Sequence, residues 1–204
     1  MTDGVRVKKF VLASNNAGKL KEFDRLLSAF EVEVVAQKVF DIADAVEDGL
    51  SFVENALIKA RHAASLSGLP AIADDSGIEV DALDGAPGIY SARYSGQGDE
   101  ANWQKLLQVM QSVPMAQRQA RFQCLLVFVR HPTDPTPLIC QGTWTGHILE
   151  AAQGDGGFGY DPVFGVSNSE RSAAQLTPDE KDALSHRGQA LRCLVKQLSD
   201  RCYV

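Results

Sequence analysis

The chain has 204 residues, 45% of them apolar, and carries 26 acidic against 20 basic side chains for a formal charge of −6. That composition suffices for one core and one domain over residues 1–204, and its acidic balance excludes an extended grip on a nucleic-acid polymer, which needs a clustered basic surface. With no apolar run of about 18 residues and no export signal in MTDGVRVKKF, the expectation is a soluble, cytoplasmic protein without membrane contact.

Residues 6–13 (RVKKFVLA) read as a strand that ends at Ser14-Asn15-Asn16-Ala17-Gly18-Lys19. Leu20, Phe23, Leu26, Leu27 and Phe30 then recur at helical spacing, with Lys21, Glu22 and Arg25 on the opposite face. Val32, Val34 and Val35 predict a second strand, and residues 40–50 show no period. Ser51 with Glu54 forms a capping-box pattern for a helix whose buried face is Val53, Leu57, Ala60 and Ala64, stopped at Gly68-Leu69-Pro70. The next strand, AIADD, stops at Asp74 and Asp75, and a further half-buried strand alternates from Ile78 to Leu83.

GAPGIYSARYSG reads as loop, and Trp103, Leu106, Leu107 and Met110 mark a helix. Arg121–Val129 and Leu138–Trp144 are strand signals joined by a turn over His131–Pro137. Thr177-Pro178-Asp179-Glu180 opens a C-terminal helical region with an apolar stripe of Leu184, Leu191, Leu194, Val195 and Leu198. Helices and strands alternate early and strands cluster later, which predicts an α/β fold with an elongated mixed β-sheet flanked by helices. Cys124, Cys140, Cys193 and Cys202 lack C-x-x-C or His spacing, so reduced thiols are expected rather than zinc ligands or a disulfide framework.

Four segments bear chemistry. In Ser14–Lys19 a strand runs into a glycine-bearing turn before a helix N-terminus, which either cradles phosphate on backbone N–H groups and Lys19 or merely caps the helix. It is not a Walker A loop, because Ala13 stands at the first glycine position and Leu20 at the magnesium-binding hydroxyl. Asp74-Asp75-Ser76-Gly77 either forms an Asx turn or offers Asp75 to Mg²⁺ and the attacking water, with Glu47 as a second oxygen ligand or an ordinary solvated residue. Gly154–Gly159 matches G-x-G-x-x-G by count, but Tyr160-Asp161-Pro162 prevents a helix from following, so the dinucleotide reading is rejected. That loop instead either exposes Phe158 and Tyr160 to a purine ring or plugs the core. Lys181, His186 and Arg187 form a cationic group for phosphate or base, or a solvated helix face.

Taken in series, VLASNNAGKLKEF, SFVENALIKARHAA, AIADDSGIEVDALDGAPGIYSARYSG, GGFGYDPVF and LTPDEKDALSHRGQAL resemble the inosine triphosphate pyrophosphatase family along nearly the whole chain. The resemblance implies hydrolysis of ITP, dITP and XTP to monophosphate and pyrophosphate with Mg²⁺. It implies a central cleft between two lobes of one domain, and a homodimer. By the same resemblance Ser14, Asn15, Asn16, Ala17, Gly18 and Lys19 bind phosphates, Asp75 is the metal-linked proton acceptor, and Ser76 binds substrate. Phe158, Gly159, Tyr160, Asp161, Lys181, His186 and Arg187 form the remaining nucleotide contacts. Relatives often carry two glutamates where this chain has Val46-Glu47, leaving Glu47 as the one further metal ligand in that loop.

Overall fold

The computed structural model describes residues 9–27, 33–201 and 203. The expected strand positions 6–8 and Val32, the helix position Phe30, and Cys202 lie outside them. In chain order the elements are β1 (Lys9–Leu12), α1 (Ala17–Leu27), β2 (Glu33–Ala36), α2 (Phe52–Ser67), β3 (Ala71–Val80), α3 (Asp99–Val109), β4 (Gln119–Val129), β5 (Leu138–Ile148), β6 (Phe164–Val166), α4 (Pro178–Leu184) and α5 (His186–Asp200). One mixed sheet has the order β2-β1-β3-β4-β5-β6. β1 runs parallel to β2, with Phe10 opposite Val34, and parallel to β3, with Val11 opposite Ala71. β5 and β6 are antiparallel, with Gly146 opposite Val166.

The chain divides into two units. The first comprises Met1–Asp75, Cys124–Gln141 and Gly188–Val204, and the second Ser76–Gln123 and Gly142–Arg187. In the first, side chains alternating along the strands enter two separate cores, as the two-residue period of a strand buried on both faces requires. Phe10, Leu12, Ile72, Leu126 and Phe128 pack with Phe23 and Leu27 of α1 and with Leu191, Leu194 and Leu198 of α5. Val11, Ala13, Ala71, Ala73, Val127 and Val129 pack with Ala56, Ala60, Ala63 and Ala64 of α2. The alanines let that helix approach the strands closely.

The second unit is built on Ile78, Val80, Leu106, Met110, Phe122, Trp144, Ile148, Tyr160, Val163 and Phe164. Arg118 is buried there and donates to the carbonyls of Met110 (2.6 Å), Val113 (3.1 Å) and Leu149 (2.6 Å). Its charge thereby satisfies the last carbonyls of α3, where the helix dipole favours a cation.

Several expectations are corrected. Asp74-Asp75-Ser76-Gly77 forms no turn: β3 runs through it, so Asp75 lies within a ten-residue strand rather than at a strand's end. Leu83 belongs to a 3₁₀ turn (Asp81–Leu83) rather than to a strand, and Gly88–Arg93 is also 3₁₀ rather than open loop. β6 has only three residues, too few for a period to register. The C-terminal stripe is broken by extended Ser185 into α4 and α5, leaving Leu184 45% exposed instead of buried.

Candidate active site

In the first unit, β1 ends in a turn where Ser14 N donates to the Leu12 carbonyl and Asn16 N to Ser14 Oγ (3.2 Å). Asn16 Oδ1 accepts from Lys19 N (3.1 Å) and so acts as the N-cap of α1. The helix therefore begins earlier than expected: Ala17, Gly18 and Lys19 form its first turn, where N–H groups have no intrahelical acceptor. Asn15 Nδ2 donates to Asp44 Oδ1 (2.9 Å), which also accepts from Gln37 Nε2 (2.6 Å). The aperiodic stretch 41–50 is thereby pinned to the turn, and His62 Nε2 with the Ala43 carbonyl (2.9 Å) and Gly49 N with Asn55 Oδ1 (2.9 Å) hold it further.

The two aspartates of β3 engage different lysines. Asp74 is fully buried and ion-pairs with Lys19 Nζ at 2.8 Å. Asp75, 10% exposed, receives Lys59 Nζ on Oδ1 at 2.8 Å, and the same ammonium lies 3.3 Å from Glu47 Oε1. Asp75 Oδ2 is buried with no hydrogen-bond partner among the described residues. Burial pushes the Asp75 carboxyl above its ordinary value against the pull of Lys59, with Glu47 and Asp74 adding like charge. Burial alone would lower Lys59, but Asp75 and Asp74, with Glu47, carry its ammonium above the usual lysine value. The pair shifts in the same direction because three carboxylates share the region with one ammonium: protonating either partner relieves repulsion.

Lys59 was missed in the sequence. The legible signal was its position: with Asn55, Ala56, Ala60 and Ala63 buried on α2, a lysine among them points inward. The expected face was slightly rotated, since Val53 and Leu57 are only half-buried. Ser51 Oγ caps Glu54 N as expected, while the Glu54 carboxylate accepts from Leu50 N (3.0 Å) and Ser51 Oγ (2.6 Å).

In the second unit, Asp161 is buried and accepts from Phe158 N (2.8 Å) and Lys181 Nζ (2.6 Å). The Lys181 ammonium lies 4.7 Å from the Phe158 ring centroid and the Arg187 guanidinium 5.5 Å from it, within cation–π range. Gly157 has φ +74°, and a Cβ there would collide with the Asp161 carboxylate, so the turn admits glycine alone. Tyr160 is not presented as an exposed aromatic face: it is buried and its hydroxyl donates to the Ser91 carbonyl at 2.8 Å. His186 and Arg187 open α5 as buried residues, and Lys181 is buried as well, so the solvated-face alternative fails. The His186 ring stacks on Phe122 (4.8 Å, 11°) and lies near-parallel to Trp144 (6.5 Å, 18°). Ser76 is half-buried on β3.

The predicted residues thus gather into two sets. Ser14–Lys19, Glu47 and Asp75 share the first unit, joined through Asp44, Asp74 and Lys59. Phe158–Asp161, Lys181, His186 and Arg187 share the second, supported by Phe122 and Trp144.

Residues 10–197 match the model of the Ham1 family. The chain belongs to the Ham1 family. It is 57% identical over 194 residues to a dITP/XTP pyrophosphatase of Shigella flexneri, covering 94% of this chain and 98% of that one. The dITP/XTP pyrophosphatase of Escherichia coli strain K12 is 56% identical over the same shares. Among solved structures, a HAM1 protein from Coxiella burnetii superposes with a TM-score of 0.88 at 46% identity, covering 94% of this chain and 98% of that chain. The Ham1 protein of Staphylococcus aureus gives 0.83 at 39% identity, covering 95% and 99%. A mixed α/β sheet with flanking helices is therefore the family's fold as well as this chain's.

Proposed function

We propose that this chain hydrolyses dITP, XTP and ITP to the nucleoside monophosphate and pyrophosphate, acting as one catalytic domain on the free nucleotide pool of the cytoplasm. The observation that carries the reading is 56% to 57% identity, across 94% of the chain, to dITP/XTP pyrophosphatases. Among the described residues no helix is long and apolar enough to cross a membrane.

A divalent metal fits the residues present. Asp75 carries a buried carboxylate oxygen without a partner, and Glu47 and Asp75 already converge on one cation, the Lys59 ammonium. Two carboxylates plus substrate phosphates are the oxygen set that Mg²⁺ accepts. Bound by Asp75 and Glu47, Mg²⁺ would neutralise triphosphate charge and polarise the phosphorus centre.

The chain's own groups do the rest. The first-turn amides of α1, with Ser14, Asn15 and Asn16, donate to phosphate oxygens, and Lys19, held by Asp74, adds a fixed positive charge. Asp75, its carboxyl raised by burial, takes the proton of the water that attacks the α-phosphorus as pyrophosphate departs. The Lys59 ammonium keeps that carboxylate ionised until the proton arrives. Phe158 stacks on the purine, with Gly159, Tyr160 and Asp161 shaping its loop. Lys181, His186, Arg187 and Ser76 supply the polar contacts.

Hypoxanthine and xanthine present a 6-oxo acceptor and an N1–H donor where adenine presents the reverse. Two mismatched buried partners at roughly 1–3 kcal/mol each would give on the order of 10²- to 10⁴-fold discrimination. The test is to incubate the protein with ATP, GTP, ITP and XTP, with and without Mg²⁺, and to resolve the products. Monophosphate plus pyrophosphate from ITP and XTP, only with Mg²⁺, is the expected result. Diphosphate plus orthophosphate, or equal turnover of ATP, would refute it. A homodimer is the proposed assembly, and a monomer mass by light scattering would refute that part.

A further inference from the structure

Phe158 sits between two glycines in left-handed conformation, Gly157 at φ +74° and Gly159 at φ +62°. Glycine has the widest backbone freedom of any residue, so nothing intrinsic to this turn fixes the plane of the ring between them. Two carboxylates do. Asp161, within the turn, accepts from Phe158 N at 2.8 Å, and Asp99, the first residue of α3, accepts from Gly159 N through Oδ2 at 3.0 Å. The helix that carries Asp99 is itself fastened. Asn102 Oδ1 accepts from Ser95 N (2.7 Å) and Asn102 Nδ2 donates to the Ala92 carbonyl (3.1 Å). The same 91–102 segment supplies the Ser91 carbonyl that receives the Tyr160 hydroxyl. Segment 91–102 thus grips the Phe158 turn at two consecutive residues, Gly159 and Tyr160.

We propose that Asp99 is a positioning residue for the purine platform: by accepting the Gly159 N–H it sets the plane of the Phe158 ring, and so governs affinity for the base rather than the phosphorus step. The proposal rests on the reading above that Phe158 receives the base. A purely structural role would be different in kind. Asp99 and Glu100 both lie in the first turn of α3, where negative charge stabilises the helix dipole whatever the side chain touches.

Four variants separate these roles: D99A, D99N, E100Q and F158A. Each is measured for kcat and KM with XTP and Mg²⁺, for melting temperature, and for equilibrium binding of XMP and of pyrophosphate. D99A is expected to raise KM for XTP and weaken XMP roughly five-fold, the worth of one hydrogen bond. Its kcat should stay within about two-fold and pyrophosphate binding should not change. D99N should restore near-normal KM, because the amide oxygen accepts the same N–H. It lacks the dipole charge just as D99A does, so the comparison isolates the hydrogen bond even if both melt earlier. E100Q should leave KM unchanged. Wild-type KM in D99A, equal defects in D99N and D99A, or parallel loss of XMP and pyrophosphate binding would each overturn the role of Asp99. If F158A also binds XMP normally, the platform reading falls; if F158A is impaired and D99A is not, only the role of Asp99 falls.

Discussion

Asp75 carries one carboxylate oxygen on the Lys59 ammonium and the other buried without a hydrogen-bond partner among the described residues. A buried acceptor left open in this way costs free energy that only a ligand or a proton can recover. Replacing Asp75 by Asn should lower kcat by about 10²- to 10⁴-fold, the usual worth of a positioned general base, with the far-UV spectrum unchanged. Turnover close to wild type would refute the assignment. Lys59 acts on the same carboxyl in the opposite sense to burial, since its ammonium favours the ionised form. In metal-free protein the Asp75 carboxyl of Lys59→Met should therefore titrate at a higher pH than in wild type, as followed by carbon-detected NMR. An unchanged or lower midpoint would mean that the ion pair does not govern that carboxyl.

At the scale of elements, the β4–β5 connection holds a carboxylate whose pH dependence has the ordinary sign. The Arg130 guanidinium, paired with buried Asp134, holds its carboxyl well below the usual carboxylate range, aided by the Arg130 and Thr136 backbone N–H groups. A depressed folded pKa stabilises above the unfolded value of about 3.9, and that contribution fades as pH falls toward the folded value. Asp134→Asn should lower unfolding stability by roughly 2 kcal/mol at neutral pH. In urea melts across pH, its gap to wild type should close below about pH 4. The capping box of α4, in which Thr177 Oγ1 accepts from Glu180 N and the Glu180 carboxylate from Thr177 N, predicts about 1 kcal/mol lost in Thr177→Ala.

That capping box was legible because every signal in it is local: a hydroxyl, a first-turn proline and a glutamate at fixed offsets. The passage of β3 straight through Asp74-Asp75-Ser76-Gly77 was not, since turn-forming residue types were overridden by strand pairing and by the partners of the two aspartates. The Asp74–Lys19 and Asp75–Lys59 pairs join residues 55 and 16 positions apart, and spacing alone carries no trace of them. For the same reason Tyr160 read as a presented ring, when its hydroxyl reaches a carbonyl 69 positions away. The motifs in chain order, by contrast, carried the family resemblance without any of these contacts.

For the whole molecule, anything that binds the native chain and not the unfolded one raises its melting temperature by mass action. At a hundredfold excess over Kd the gain is about 2.7 kcal/mol. XMP with Mg²⁺ and pyrophosphate should raise the melting temperature clearly in scanning fluorimetry. The Mg²⁺-dependent part of the rise should vanish in Asp75→Asn while the XMP part persists. An equal Mg²⁺ effect in both proteins would separate the metal from Asp75.

The polypeptide passes between its two units four times, after Asp75, Gln123, Gln141 and Arg187. No single cut in the gene can therefore release either unit whole: a ribosome that stops early leaves the first unit without α5, its last contribution, and a start codon further in leaves it without β1. Half-length products should be soft targets for proteases, and complementation by two co-expressed fragments would require both pieces to rebuild both units at once.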